Sequence, residues 1–124
     1  MQGKKIVLAI DDNRMQLDLF QQMLGSKYEV RTVDSAANAL DYLNKNKSDL
    51  ILLDIEMPNI SGFDFLQDIR KIPSYMIVPI IIVSGNTGDE FLNKAKKSSA
   101  FDVLTKPVRK DDLIETIERA LAVK

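Results

Sequence analysis

Ile6-Val7-Leu8-Ala9-Ile10 runs straight into Asp11-Asp12, and Leu50-Ile51-Leu52-Leu53 runs into Asp54. A third stretch, Phe101-Asp102-Val103-Leu104-Thr105, delivers Lys106-Pro107. Short runs rich in Ile, Val and Leu read as buried strands. Laid parallel, they bring three carboxylates and a lysine to one edge of a sheet. In open α/β sheets that carboxyl edge is where ligands bind. Crowded carboxylates resist ionisation unless a cation offsets them. A cation-sized gap among acids, with a lysine beside it, points to phosphate chemistry.

Outward from these runs, two periodicities alternate. Strands are expected over 5–10, 29–33, 49–53, 78–83 and 101–105. Between them the apolar spacing is helical. Leu19, Phe20, Met23 and Leu24 form a stripe that Gly25 can end, with Met15 and Leu17 at its border and partly buried. Ala36, Leu40 and Leu43 follow a cap at Asp34 or Ser35. Phe63, Phe65, Leu66 and Ile69 make a third helix, stopping before Pro73, and Phe91, Leu92 and Ala95 a fourth. The last carries Leu113, Ile114, Ile117, Ala120 and Leu121, with Asp111 and Asp112 suited to its N-terminal dipole.

Five βα units imply a doubly wound α/β fold, a parallel sheet with helices on both faces as a three-layer sandwich. The second and fifth strands are the least apolar and are expected at the edges. That suits the order 2-1-3-4-5 known for one doubly wound class. Pro79 is acceptable only near the start of its strand, where its missing N–H matters least. With no linker, repeat or low-complexity stretch, residues 1–124 read as one domain.

Composition excludes several chemistries. Hydrophobic residues make up 45% and charged residues 28%, as in ordinary globular chains. A net charge of -1 gives no case for bulk binding to nucleic acid or a membrane surface. Without cysteine there is neither a disulfide nor thiolate catalysis, and without histidine neither an imidazole base nor a His-ligated metal. No apolar stretch approaches the roughly 20 residues of a membrane helix. No signal peptide is expected, and the default compartment is the cytoplasm.

Asp11-Asp12 alone can be a solvated turn, with Asp12 a helix cap. Asp54 sharpens the reading, because the first and third strands should be neighbours. Mg2+ prefers oxygen ligands and takes one or two carboxylates plus a phosphate. Lys106 is long enough to reach the same edge, as a salt bridge or toward a phosphoryl group. A cis bond to Pro107 would turn the chain and aim the lysine inward. Ser84, at the end of the fourth strand, can serve the backbone or bond a phosphoryl oxygen, with Gly85 leaving space beside it.

Together these residues resemble the receiver domain of two-component response regulators, over essentially the whole chain. The resemblance rests on Asp11-Asp12, Asp54-Ile55-Glu56-Met57-Pro58, Ser61-Gly62-Phe63, Ser84-Gly85 and Lys106-Pro107. It implies a flavodoxin-like (βα)5 fold with Asp54 as phosphoacceptor. Asp12 would bind Mg2+ directly, Asp11 largely through water, with Asp54 and the Glu56 main-chain carbonyl also at the metal. Ser84 and Lys106 would contact the phosphoryl group, and Lys106 would pair with Asp54 in the resting state. The implied function is a stand-alone phosphorylation switch or relay intermediate that catalyses only its own phosphorylation and dephosphorylation. The implied donor is a sensor histidine kinase or a histidine phosphotransfer protein, and the output is binding to a downstream target protein.

The chain departs from the family pattern where receivers often carry an aromatic residue. Val103 stands three residues before the lysine, Val108 follows the proline, and Ser99-Ala100 replaces the usual Gly-Ala. A β-branched valine has little rotamer freedom. Glu56 and Asn86 flank the expected path of an attacking water, positions that tune phosphoryl lifetime in related domains. Lys94, Lys96, Lys97, Arg109 and Lys110 form either a solvated face or part of a docking surface. Two other functions fit less well. A phosphorylation-independent interaction module would not need the acids, Ser84 and Lys106 together. An aspartyl phosphohydrolase would need Asp-x-Asp, where Glu56 takes the second place.

Overall fold

A computed structural model describes residues 3–58 and 60–123. Five strands alternate with five helices: β1 (Ile6–Ile10), α1 (Arg14–Leu24), β2 (Glu29–Val33), α2 (Ala36–Lys45), β3 (Leu50–Asp54), α3 (Gly62–Arg70), β4 (Ile80–Ser84), α4 (Asp89–Lys97), β5 (Asp102–Thr105) and α5 (Lys110–Ala122). A short 3-10 turn, Pro73–Tyr75, follows α3. All neighbouring strands are parallel, in the order β2-β1-β3-β4-β5, as expected from the polar edge strands.

Strand alternation divides the core into two layers. Leu8, Ile10, Ile51, Leu53, Ile80 and Ile82 face α2, α3 and α4. Val7, Ala9, Leu50, Leu52, Ile81 and Val83 face α1 and α5. Every residue of β3 and β4 is buried, whereas β2 and β5 are half-buried. This is why the central strands read as unbroken apolar runs.

Local chemistry sets the helix ends. Ser35 Oγ accepts the Asn38 amide at 3.1 Å and Ser61 Oγ accepts the Asp64 amide at 3.4 Å. The cap of α1 is Asn13, whose side chain accepts the Gln16 amide, and not Asp12. Leu17, Phe20 and Leu24 are the buried residues of α1, and Met23, as expected, is partly buried in the same layer. Leu17 is fully buried, Met15 is 72% exposed and Leu19 is 44% exposed, which corrects the expectation that Met15 and Leu17 are partly buried alike. Gly25 ends α1 in right-handed geometry (φ -61°).

Pro79 lies just ahead of β4, and its carbonyl accepts the Ile51 amide. Gly62 opens α3 against the chain that leaves β3. A Cβ there would meet the Ile55 carbonyl oxygen at 2.2 Å, so only glycine allows the approach.

Candidate functional site

The carboxyl ends of β1, β3, β4 and β5 present the expected residues together. Asp11 and Asp12 follow β1, Asp54 ends β3, Ser84 ends β4 and Lys106 follows β5. Register explains their proximity: Ile10 pairs with Leu53, Asp54 with Val83, and Ser84 with Thr105. The Lys106 amide donates to the Ser84 carbonyl at 2.8 Å, tying the lysine to the end of β4. The Lys106–Pro107 peptide is cis.

Asp11, Asp12 and Asp54 each offer one oxygen within 4.8 Å of the others. Asp11 and Asp54 are buried and Asp12 is exposed. Asp11 Oδ1 accepts the Asn13 amide at 2.9 Å, and Asp54 Oδ1 accepts the Glu56 amide at 2.9 Å. Each buried carboxylate turns its second oxygen to Lys106, whose Nζ is 3.1 Å from Asp11 Oδ2 and 3.6 Å from Asp54 Oδ2. The lysine bridges both acids, nearer to Asp11 than the resemblance implied.

Burial, above all, pushes Asp54 from the ordinary 3.8 up to about 6, and the Asp11 charge adds to the rise. The Glu56 amide and the Lys106 ammonium restrain it. Burial acts to lower the Lys106 pKa, yet Asp11 and Asp54 together hold it above its ordinary value. Two buried acids sharing one ammonium leave negative charge uncompensated, which suits an oxygen-seeking divalent cation.

Glu56 does more than the sequence suggested. Its Oε1 accepts the Ser84 hydroxyl at 2.7 Å and the Gly85 amide at 2.9 Å. The Ser84 hydroxyl, first, and the Gly85 amide hold its carboxyl below the ordinary range, against an opposing effect of burial. Ser84 Oγ in turn accepts the Asn86 amide at 3.0 Å, and Asn86 Oδ1 accepts the Gly88 amide at 2.8 Å.

Val103 is half-buried against the α2, α3 and α4 layer, and Val108 is buried in the opposite layer. The late basic residues lie on two helices. Lys94, Lys96 and Lys97 occupy the last turn of α4, where cations suit the helix dipole, whereas Arg109 caps α5 and Lys110 opens it. Lys94 Nζ also lies 4.9 Å over the Phe63 ring. A cavity of about 540 Å3, bounded by Lys5, Asp49, Arg70 and Phe101, lies at the opposite edge of the sheet and includes none of Asp11, Asp12 and Asp54. Among the described residues no helix is long and apolar enough to cross a membrane.

The family model of the response regulator receiver domain matches residues 7–118. The chain belongs to this family. Its receiver sequence is 31% identical over 117 residues to the two-component response regulator ORR3 of Oryza sativa, covering 93% of this chain and 89% of that protein. It is 36% identical over 123 residues to the 3',5'-cyclic-nucleotide phosphodiesterase regA of Dictyostelium discoideum, covering 96% of this chain and 16% of the relative. The receiver spans less than a fifth of the length of several curated relatives, that phosphodiesterase among them. In structure it matches the chemotaxis protein CheY4 of Vibrio cholerae with a TM-score of 0.89 at 30% identity, covering 96% of this chain and all of the other.

Proposed function

We propose that residues 1–124 act as a phosphorylation switch in which Asp54 accepts a phosphoryl group from a phosphohistidine on a partner protein. One observation carries this reading: Lys106 bridges two buried carboxylates that lie within 4.8 Å of a third, exposed one. Asp11, Asp12, Asp54 and the Glu56 main-chain carbonyl would hold Mg2+, and the crowded oxygens fit that ion. When bound, Mg2+ supplies positive charge at the transferring group, which receives little covalent help.

In the transfer, an Asp54 carboxylate oxygen attacks phosphorus while the bond to the donor imidazole nitrogen breaks. The nitrogen leaves with the bonding pair, and an acyl phosphate forms on Asp54. With a pKa of about 6, Asp54 is largely ionised at neutral pH and available as the nucleophile. Lys106 offsets charge on the phosphoryl oxygens, and Ser84 donates a hydrogen bond to one of them. No separate substrate is turned over. The donor is a sensor histidine kinase or histidine phosphotransfer protein in the cytoplasm, and the readout is altered binding to a target protein or onward transfer.

The test is intact mass after incubation with a small acyl-phosphate donor, with and without Mg2+, for the wild type and Asp54→Ala. One added phosphate that requires both Mg2+ and Asp54 is expected. If neither that donor nor a phosphohistidine protein gives an adduct, the phosphorylation-independent module takes its place.

A further inference from the structure

Ser84 and Glu56 are 28 residues apart in sequence, yet the Ser84 hydroxyl donates a hydrogen bond to Glu56. Ser84 is fully buried at the end of β4, whereas Glu56 is an exposed residue whose carboxylate folds back over the strand end. A serine hydroxyl carries one proton and donates to one acceptor at a time. Here the acceptor is Glu56 Oε1, which also takes the Gly85 amide.

A phosphoryl group on Asp54 would need the same hydroxyl, because Ser84 follows Val83, the residue paired with Asp54. Donation to Glu56 and donation to a phosphoryl oxygen are therefore mutually exclusive. We infer that the Glu56 side chain is a latch, holding Ser84 and Gly85 against the capture of Ser84 by the phosphorylated site. The inference rests on the phosphoacceptor reading and concerns the regulation of that site.

The latch also reaches the segment that leads to α4. Ser84 Oγ, by accepting the Asn86 amide, helps hold residues 85–88, which run from β4 to the Gly88 cap of α4. Redirecting the Ser84 hydroxyl to donate to a phosphoryl oxygen would release Glu56 and Gly85 together and reset this segment. A ligand shifts such an equilibrium only by its differential interaction with the two states. Glu56 thus sets how much of the phosphoryl interaction is spent on opening. The Glu56 hydrogen bond is charge-assisted and correspondingly strong.

Two accounts of Glu56 make different predictions. As a latch, it acts through the Ser84 proton. As a nearby negative charge, it only repels the incoming anion. A double-mutant cycle separates them. The probe is fluoroberyllate with Mg2+, which adds a phosphoryl-like group to a carboxylate oxygen, with affinity read by calorimetry on the full chain.

Glu56→Ala is expected to tighten fluoroberyllate binding about tenfold, the scale of one charge-assisted hydrogen bond. In the Ser84→Ala background the same change should shift affinity less than about twofold. Glu56→Gln keeps an acceptor of the same shape without the charge, and should fall between wild type and Glu56→Ala. The same tightening in both backgrounds, or none in either, overturns the latch while leaving Asp54 as the acceptor. If Asp54→Ala binds the probe as well as the wild type does, the phosphoacceptor reading falls, and the latch with it.

Discussion

Lys106 Nζ lies 3.1 Å from Asp11 Oδ2, half an ångström nearer than to Asp54 Oδ2. The ammonium therefore serves the pair of buried acids jointly. Its removal leaves two buried carboxylates with no cation between them, a costly arrangement even near a surface. Lys106→Met is expected to lower unfolding free energy by about 1–3 kcal/mol at pH 7 in a metal chelator. Mg2+ at millimolar concentration should restore more stability to this variant than it adds to the wild type. Denaturant unfolding with and without Mg2+ measures both. Equal stabilisation of the two proteins would place the ion away from Asp11 and Asp54.

Asp54 makes stability depend on pH in a calculable direction. Its pKa is about 6 in the folded protein against 3.8 ordinarily, so between those values the native state holds a proton that the unfolded chain has lost. Folding stability from this residue therefore falls as pH rises from about 4 to about 6, then levels off. Asp54→Asn removes the dependence. In a metal chelator the variant should gain on the wild type across that window, reaching an advantage on the order of 2 kcal/mol by pH 7. A constant difference between the two stability curves would contradict the raised pKa.

The fold was legible because β3 and β4 are buried on both faces and must be continuously apolar, while β2 and β5 show their edge position through polar residues. Boundaries slipped where one atom decides them. The apolar run predicts β4 from residue 78, but the strand starts at Ile80, because Pro79 has no N–H to give the ladder. In α1 the expected Phe20, Met23 and Leu24 do pack on the core, but Leu17 takes the buried place expected of Leu19, and the cap is Asn13, not Asp12. Asp11, Asp12, Asp54, Ser84 and Lys106 could be found because each follows or ends a strand. The Glu56–Ser84 bond could not, since it joins the loop after β3 to the end of β4 and depends on rotamers that sequence spacing does not encode.

Gly62 marks a contact that no larger residue can enter. An added Cβ would sit 2.2 Å from the Ile55 carbonyl oxygen and 2.5 Å from Ile55 Cγ1. Either α3 or the chain after β3 must then move. Gly62→Ala is expected to cost about 2 kcal/mol, the overpacking strain exceeding any gain in helix propensity. Because Glu56 follows Ile55, the Gly85 amide should also change its chemical shift. Chemical denaturation and amide NMR test the two effects. An alanine variant as stable as the wild type would show that the segment yields freely.

Arg70 braces the far end of the sheet without a carboxylate partner among the described residues. Its guanidinium donates to the Tyr75, Val78 and Ser99 carbonyls and to Ser99 Oγ, at 2.6 to 2.9 Å. Burial lowers its pKa, but an arginine stays protonated throughout the working range. One planar fork thus joins the end of α3, the start of β4 and the turn before β5. A lysine has the charge but not the fork, and cannot reach all four acceptors. Arg70→Lys and Arg70→Met should both lose about 2–4 kcal/mol, because either leaves half-buried carbonyls without a donor. Hydrogen exchange should quicken at Ile80 and Phe101 while the amides around Asp54 stay protected. A large loss with Met and almost none with Lys would mean that charge, and not the shape of the fork, holds these segments together.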